Sequence, residues 1–78
     1  MSKLTHIFSS VLGIPESAVG PATSPDTTPS WDSLNAIILL TEIEKAFDQR
    51  FGYEEAMAVK SLADVRALLT KKGLNPDA

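Results

Sequence analysis

Apolar residues recur at helical spacing along the chain, and a long Pro-rich segment interrupts the pattern once. In residues 3–12 they fall at i, i+3, i+4, i+7 and i+8: Leu4, Ile7, Phe8, Val11 and Leu12. This spacing predicts one amphipathic helix with a single apolar stripe. Ser2 is a suitable N-cap for this helix, and Gly13 can end it in the left-handed conformation.

A second helix is predicted from about Ser33 to about Gln49. At about 100° per residue, one side of it is apolar and should face the core: Ala36, Leu39, Leu40, Ile43 and Phe47. A different side should face outward: Leu34, Ile38, Thr41 and Lys45. Asp32 is the predicted N-cap, because its carboxylate can accept backbone N–H bonds and offset the positive end of the helix.

Two further helices are predicted towards the end of the chain. Residues 54–58 can form one short helical turn, with Phe51, Met57 and Val59 as core candidates. Ser61 then caps a last helix, with Asp64 approximating a capping box. The apolar stripe of that helix is Leu62, Val65, Leu68 and Leu69. Gly73 is expected to close it, and residues 74–78 are expected to form a flexible tail.

The segment between the first two helices contains four prolines, Pro15, Pro21, Pro25 and Pro29. Repeated Pro cannot continue a helix, so residues 14–30 are predicted to be a loop that Ile14 and Val19 anchor to the core. A loop of this length in a small domain is usually functional. The predicted fold is therefore all-α, with three longer helices and one short helix, in one domain over residues 1–78 whose ordered core covers about 3–73.

Composition narrows the classes of function. Seven acidic and two basic residues lie between Asp26 and Glu55, which disfavours a nucleic-acid partner. The chain has no Cys, so any thiol chemistry needs an added cofactor. The longest apolar run, residues 36–40, is far short of the ~20 residues that span a bilayer. The N-terminus also lacks the apolar region of a secretory signal, and a cytoplasmic location is expected.

The stretch "PSWDSLNAIILL", residues 29–40, places Ser33 in the first turn of the second helix. Its hydroxyl should lie among unpaired backbone N–H groups, where an anion such as a phosphodiester is favoured. Unaided nucleophilic catalysis is not expected, because the only His is His6 on another helix and no Ser–His–Asp set can be assembled. Taken alone, the pattern is more typical of an ordinary Asp-capped helix followed by a tolerated Ser.

Several segments together resemble the acyl carrier protein family, including the related peptidyl carriers. "WDSL" resembles the family's attachment motif, Asp-Ser-Leu, in its Trp-preceded form, and "VLGIPESAV" resembles the end of helix one. "EIEKAF", "EEAMAV" and "KSLADV" resemble the end of helix two, the short third helix and the start of the last helix. The similarity covers nearly the whole chain and implies a four-helix bundle with a long first loop.

The resemblance also implies a function. Ser33 would carry 4′-phosphopantetheine, transferred from coenzyme A by a phosphopantetheinyl transferase, so that the chain is a phosphoprotein. An acyl or aminoacyl group would be carried as a thioester to acyl-loading and acyl-processing enzymes, and the carrier, a monomer, would catalyse nothing. By the same resemblance, Asp32 orients the attachment turn and Leu34 helps partners to recognise it. Leu34 and Ile38 also form an apolar pair on the outward side of the helix, which suggests a docking patch. The predicted partner-binding residues are Leu34, Ile38, Thr41 and Glu42.

The chain departs from the carriers of fatty acid synthesis at several positions. Asn35 and Ile38 stand where those carriers have acidic residues, and Pro25 and Pro29 stand where they have a Phe and a Leu that pack inward. Trp31 can supply the missing apolar bulk. These differences favour a carrier of a specialised pathway, such as polyketide-like, lipid, aminoacyl or surface-glycan modification.

An alternative from another class is a helical protein-interaction module without a cofactor. Leu34 and Ile38 would then form its hydrophobic docking face. A further alternative is that the Pro-rich loop folds over Leu34 and Ile38, so that they form no docking face. A helix-turn-helix nucleic-acid binder is opposed by the acidic middle of the chain, and spaced calcium ligands of the EF-hand type are absent from the sequence.

Overall fold

The computed structural model describes residues 3–76, and within this range all regular structure is helical. The α-helices are α1 (Lys3–Leu12), α2 (Ser33–Phe47), α3 (Tyr53–Ala58) and α4 (Leu62–Lys71), and a short 3₁₀ turn, Glu16–Ala18, lies in the first loop. The predicted fold class is confirmed: four helices, of which one is short, with a long loop between the first and the second. No helix in the described range is both long and apolar enough to cross a membrane.

The core is built from the apolar stripes of three helices and one loop residue. α1 packs against α2, and the core side chains are at most 6% exposed: Leu4, Phe8, Leu12, Trp31, Leu39, Ile43, Leu62, Val65 and Leu69. Ile14 and Val19 pack against this core, as the sequence predicts. The helical period therefore identifies the buried side of α1, α2 and α4 correctly.

Each longer helix ends with a left-handed residue or a glycine just beyond it. Gly13 (φ +66°) follows α1, and Gly73 (φ +80°) follows α4, as expected for C-terminal glycines. α2 ends at Phe47 rather than near Gln49, because Asp48 adopts φ +53° and ψ +49° and its N–H bonds to the Glu44 carbonyl. The Ser2 cap predicted for α1 lies outside the described residues.

Two expectations near the C-terminal half are wrong. Met57 is 62% exposed, since it shares the outward side of α3 with Tyr53, one turn earlier. Phe51 and Val59 do pack against the core.

The flexible tail was expected to begin at residue 74, yet Leu74 packs against the core and Pro76 is buried. The Leu74 N–H donates to the Leu69 carbonyl at 2.9 Å; residues 77–78 lie outside the described range.

The first loop is joined to the start of α4 by backbone hydrogen bonds. The Leu62 N–H donates to the Thr23 carbonyl at 2.9 Å, and the Ala63 N–H donates to the Pro21 carbonyl at 3.1 Å. The first N–H groups of a helix have no partner within the helix, so the loop supplies acceptors that α4 lacks. Thr23 and Thr28 are buried in this loop. The first loop is therefore packed and hydrogen-bonded against the bundle, and it continues directly into α2.

Candidate functional site

Ser33 is exposed and is the first residue of α2. The residue before it, Asp32, has an extended backbone, and its carboxylate accepts a hydrogen bond from the Asn35 N–H at 2.9 Å. This bond confirms Asp32 as the N-cap. Because the cap uses the third N–H of the helix, the N–H groups of Ser33 and Leu34 remain among those without an intrahelical acceptor.

Hydrogen bonds from a side chain and from the backbone fix the segment that leads to Ser33. The Asn35 amide Nδ2 donates to the Ser30 carbonyl at 2.6 Å, and the Trp31 N–H donates to the Thr28 carbonyl at 2.9 Å. Asn35 thus connects the first turn of α2 back to the loop that precedes it. From the sequence, Asn35 is recognisable only as a departure from an acidic residue, and this contact could not be predicted.

Trp31 packs into the bundle two residues before Ser33. It is 6% exposed, and its ring meets that of Phe8 edge to face, with the centroids 5.4 Å apart and the planes at 79°. The expectation that Trp31 supplies apolar bulk in the first loop is confirmed, and Pro25 and Pro29 stay exposed. An aromatic residue therefore lies next to the cap because it anchors the loop and the start of α2 to the core of α1.

The outward side of α2 beyond Ser33 is apolar and uncovered. Leu34 is 67% exposed and Ile38 is 40% exposed, so the first loop does not fold over them. Thr41 and Glu42 are exposed on the same helix, and a Glu42 oxygen lies 4.0 Å from Lys45 Nζ. Ile37, which the sequence analysis did not single out, is 65% exposed. The i, i+3 spacing from Leu34 could have identified it.

Beside Ser33 lies an open cleft of about 300 Å³. Its other lining residues are Pro25, Trp31, Asp32, Ala36 and Val59. A second, smaller space of about 30 Å³ lies between α2 and α3, and Trp31, Ala36 and Val59 line both spaces. A group attached to the Ser33 hydroxyl would thus begin next to a mainly apolar surface.

Some of the other polar side chains of the described residues have structural partners. His6 Nδ1 lies 3.7 Å from Glu16 Oε2, which joins α1 to the 3₁₀ turn. The Gly52 N–H, followed by the Lys72 ammonium, lowers the pKa of the Glu55 carboxyl; the Glu55–Lys72 distance is 3.1 Å. No group of three or more His, Cys, Asp or Glu side chains suited to a metal ion occurs within residues 3–76. Ser33, its cap and the apolar side of α2 are therefore the features that call for a functional explanation.

Comparison with protein families indicates which chemistry this site serves. A family model described as a phosphopantetheine attachment site matches residues 2–69. The chain belongs to this family of phosphopantetheine-binding carriers. Members carry a covalently attached 4′-phosphopantetheine group, so the cofactor inferred from the "WDSL" resemblance is confirmed for the family. The matched range contains α1, α2, α3 and nearly all of α4.

The start of α2 fits such a group physically. Ser33 is exposed, as attachment by a separate enzyme would require. A phosphodiester on its oxygen would lie at the N-terminus of a helix of 15 residues, where backbone N–H groups and the helix dipole stabilise negative charge. The Asp32 carboxylate would repel that charge, but it is directed to the Asn35 N–H. The apolar cleft lies against the same residue.

Proposed function

We propose that this chain is an acyl or aminoacyl carrier in which Ser33 is the attachment point of 4′-phosphopantetheine. The observation that carries the proposal is an exposed Ser33 directly after the capping Asp32, inside the range that matches the attachment-site family. The proposal also holds that residues 1–78 act as one carrier domain, which is a monomer in the cytoplasm and has no catalytic activity of its own.

The residues around Ser33 position it for an external enzyme. Asp32 and Asn35 hold the first turn of α2, and Trp31 fixes the loop before it, so the Ser33 hydroxyl is presented outward on a rigid element. A phosphopantetheinyl transferase would take the hydroxyl proton while Ser33 Oγ forms a bond to the pantetheine-side phosphorus of coenzyme A. The P–O bond of the coenzyme A pyrophosphate would break, and adenosine 3′,5′-bisphosphate would leave. When bound, the group supplies the thiol that the chain lacks and holds cargo as a thioester.

Partner enzymes would dock beside the attachment point. We assign this face to Leu34, Ile38, Thr41 and Glu42, the partner-binding residues predicted from the sequence, and add Ile37 because of its exposure. α2 has no acidic residue in its first turn, and Asn35 and Ile38 replace the acids of fatty-acid carriers. These features support loading and processing enzymes of a specialised pathway, such as a polyketide, lipid or aminoacyl pathway, over those of fatty acid biosynthesis.

The second candidate is a cofactor-free interaction module that docks through Leu34 and Ile38. The same exposed apolar side of α2 supports it, since such patches mark protein contacts. The two candidates differ in the role of Ser33. The module predicts partner binding by the unmodified chain that is unchanged in a Ser33→Ala variant, whereas the carrier predicts function only after modification of Ser33.

Intact-mass spectrometry tests the carrier proposal directly. The purified chain is incubated with coenzyme A and a transferase of broad substrate range, and the expected result is the added mass of one phosphopantetheinyl group. Ser33→Ala should gain no mass, and the matched control Ser10→Ala, at an exposed serine of α1, should be modified like the parent. Added mass that survives Ser33→Ala, or no added mass on the parent, would refute the proposal.

A further inference from the structure

Asn35 makes two hydrogen bonds to the segment that precedes Ser33. Its backbone N–H donates to the Asp32 carboxylate at 2.9 Å, and its side-chain Nδ2 donates to the Ser30 carbonyl at 2.6 Å. Both acceptors come before Ser33 in the chain, and the donor residue comes after it. Ser33 therefore lies within a short stretch of chain, residues 30–35, whose two ends are joined by the side chain of Asn35.

The residues directly next to Ser33 are not fixed by burial. Asp32, Ser33 and Leu34 are all exposed, so packing against the core contributes little to their positions. Trp31 on one side is buried, and Asn35 on the other is half-buried. The position of the Ser33 hydroxyl therefore depends on the packing of Trp31 before it and on the hydrogen bonds of Asn35 after it.

We propose that Asn35 is a positioning residue for the attachment reaction, because its side-chain amide holds residues 30–33 so that Ser33 Oγ is presented to the transferase in a reactive orientation. This inference rests on the proposed function of Ser33 and adds to it a residue that sets the rate of attachment. Asn35 acts through the Ser30 carbonyl and makes no bond to the reacting atoms.

The bond to Ser30 requires a donor on the side chain of residue 35. A carboxamide has two N–H donors, whereas an ionised carboxylate can only accept hydrogen bonds. Asn35→Asp keeps the shape of the side chain but turns an acceptor towards the Ser30 carbonyl, which is also an acceptor. The Asp32 cap uses the backbone N–H of residue 35 and is retained in this variant and in Asn35→Ala. Both variants therefore remove the side-chain bond and leave the cap.

Loss of this bond should slow the transfer step and leave docking of the transferase unchanged. The proposed docking residues Leu34, Ile37 and Ile38 belong to α2, whose own backbone bonds do not use the Ser30 carbonyl. Transfer requires the attacking oxygen to be aligned with phosphorus, and a displacement of about 1 Å can slow such a step about 100-fold. We expect the maximal rate to fall about 10- to 100-fold, and the half-saturating transferase concentration to change less than about twofold.

Single-turnover kinetics on the full chain test this expectation. A transferase of broad substrate range is kept in excess over the carrier at saturating coenzyme A, and intact mass follows the adduct with time. Varying the transferase concentration gives the maximal rate and the half-saturating concentration separately. Asn35→Asp and Asn35→Ala should both lower the maximal rate, and Asn35→Asp remains informative if Asn35→Ala does not fold.

The matched control is Thr70→Val on α4. It removes a side-chain bond to a backbone carbonyl, that of Arg66, at 2.9 Å, and it should be modified at the parent rate. Circular dichroism verifies that each variant is folded.

The mobility of the unmodified chain gives a second readout that is independent of the transferase. NMR order parameters of backbone amides are about 0.85 in rigid segments and below about 0.6 in flexible ones. In both Asn35 variants, we expect the values for the Ser33 and Leu34 amides to fall towards the flexible range. In Thr70→Val they should match those of the parent.

The outcomes separate this inference from the proposal on which it rests. A maximal rate that is unchanged in both Asn35 variants, or lowered equally in Thr70→Val, would overturn the inference alone. A lower maximal rate with unchanged order parameters would also overturn it, as would a raised half-saturating concentration at an unchanged maximal rate, since Asn35 would then contribute to docking. Absence of any adduct on Ser33 of the parent would overturn the proposed function and this inference with it.

Discussion

Replacement of Trp31 by Ala tests whether this residue anchors the start of α2 to the core. Trp31 is 6% exposed and meets Phe8 at 5.4 Å. A buried aromatic side chain covers about 150–250 Å², which at about 25 cal/mol per Å² corresponds to roughly 4–6 kcal/mol. This is an upper value, because the unfolded chain already buries part of that surface. Measured truncations of this kind cost about 3–5 kcal/mol.

That loss is large for a chain of this length. A domain of 78 residues is expected to have a free energy of unfolding of about 4–12 kcal/mol. We therefore expect Trp31→Ala to remove about 3–5 kcal/mol and to lower Tm by more than about 10 °C. Urea denaturation followed by far-ultraviolet circular dichroism measures this, since Trp31 is the only Trp and its fluorescence is lost in the variant.

The matched control is Tyr53→Ala, which truncates an aromatic residue that is 79% exposed. It should change the free energy of unfolding by no more than about 0.5 kcal/mol. A loss below about 1 kcal/mol in Trp31→Ala, or an equal loss in the two variants, would refute the reasoning that Trp31 is a core anchor.

Three further predictions concern the cap, pH and the outer side of α2. Asp32→Ala should lower the free energy of unfolding by about 1 kcal/mol, measured by urea denaturation; an unchanged midpoint would show that the Asn35 N–H is equally well solvated without the cap. The lowered pKa of Glu55 means that its charged form is favoured by folding, so its contribution is present above the ordinary Glu pKa and is lost as pH falls through the lowered value. Tm measured against pH should therefore fall less steeply at acidic pH in Glu55→Gln than in the parent, and parallel profiles would contradict this. Ile37→Ser should leave Tm nearly unchanged, because Ile37 is 65% exposed, while steady-state kinetics of the transferase or of a processing enzyme show a raised KM; an unchanged KM with both would remove Ile37 from the docking face.

Most of the fold could be predicted from the spacing of apolar residues and from the capping residues, because both signals are local in the sequence. The buried stripes of α1, α2 and α4 follow directly from positions three and four residues apart. Asp32 was predicted as a cap because only a short polar acceptor can bond to the first turn from that position. Trp31 was predicted as loop bulk from the resemblance, because Pro25 and Pro29 stand where fatty-acid carriers have a Phe and a Leu that pack inward, and the structure confirms this packing.

The features that could not be predicted from the sequence depend on contacts between distant segments. The hydrogen bond from the Leu62 N–H to the Thr23 carbonyl joins backbone atoms. Because every residue has these atoms, no pattern of side chains predicts the bond. The orientation of Met57 was wrong because a helix of six residues gives too few positions to define its apolar side. The cleft beside Ser33 was not predicted, since its walls come from the first loop, α2 and the residue after α3.

The proposed function requires the Ser33 oxygen to be the attachment point of 4′-phosphopantetheine. The most direct measurement is tandem mass spectrometry of the protein purified from its native cells, with the modified residue located in the peptide that contains residues 31–35. We predict a phosphopantetheinyl group on Ser33 in at least part of the protein. A bare Ser33 in protein that is active in its pathway, or the group on another residue, would contradict it.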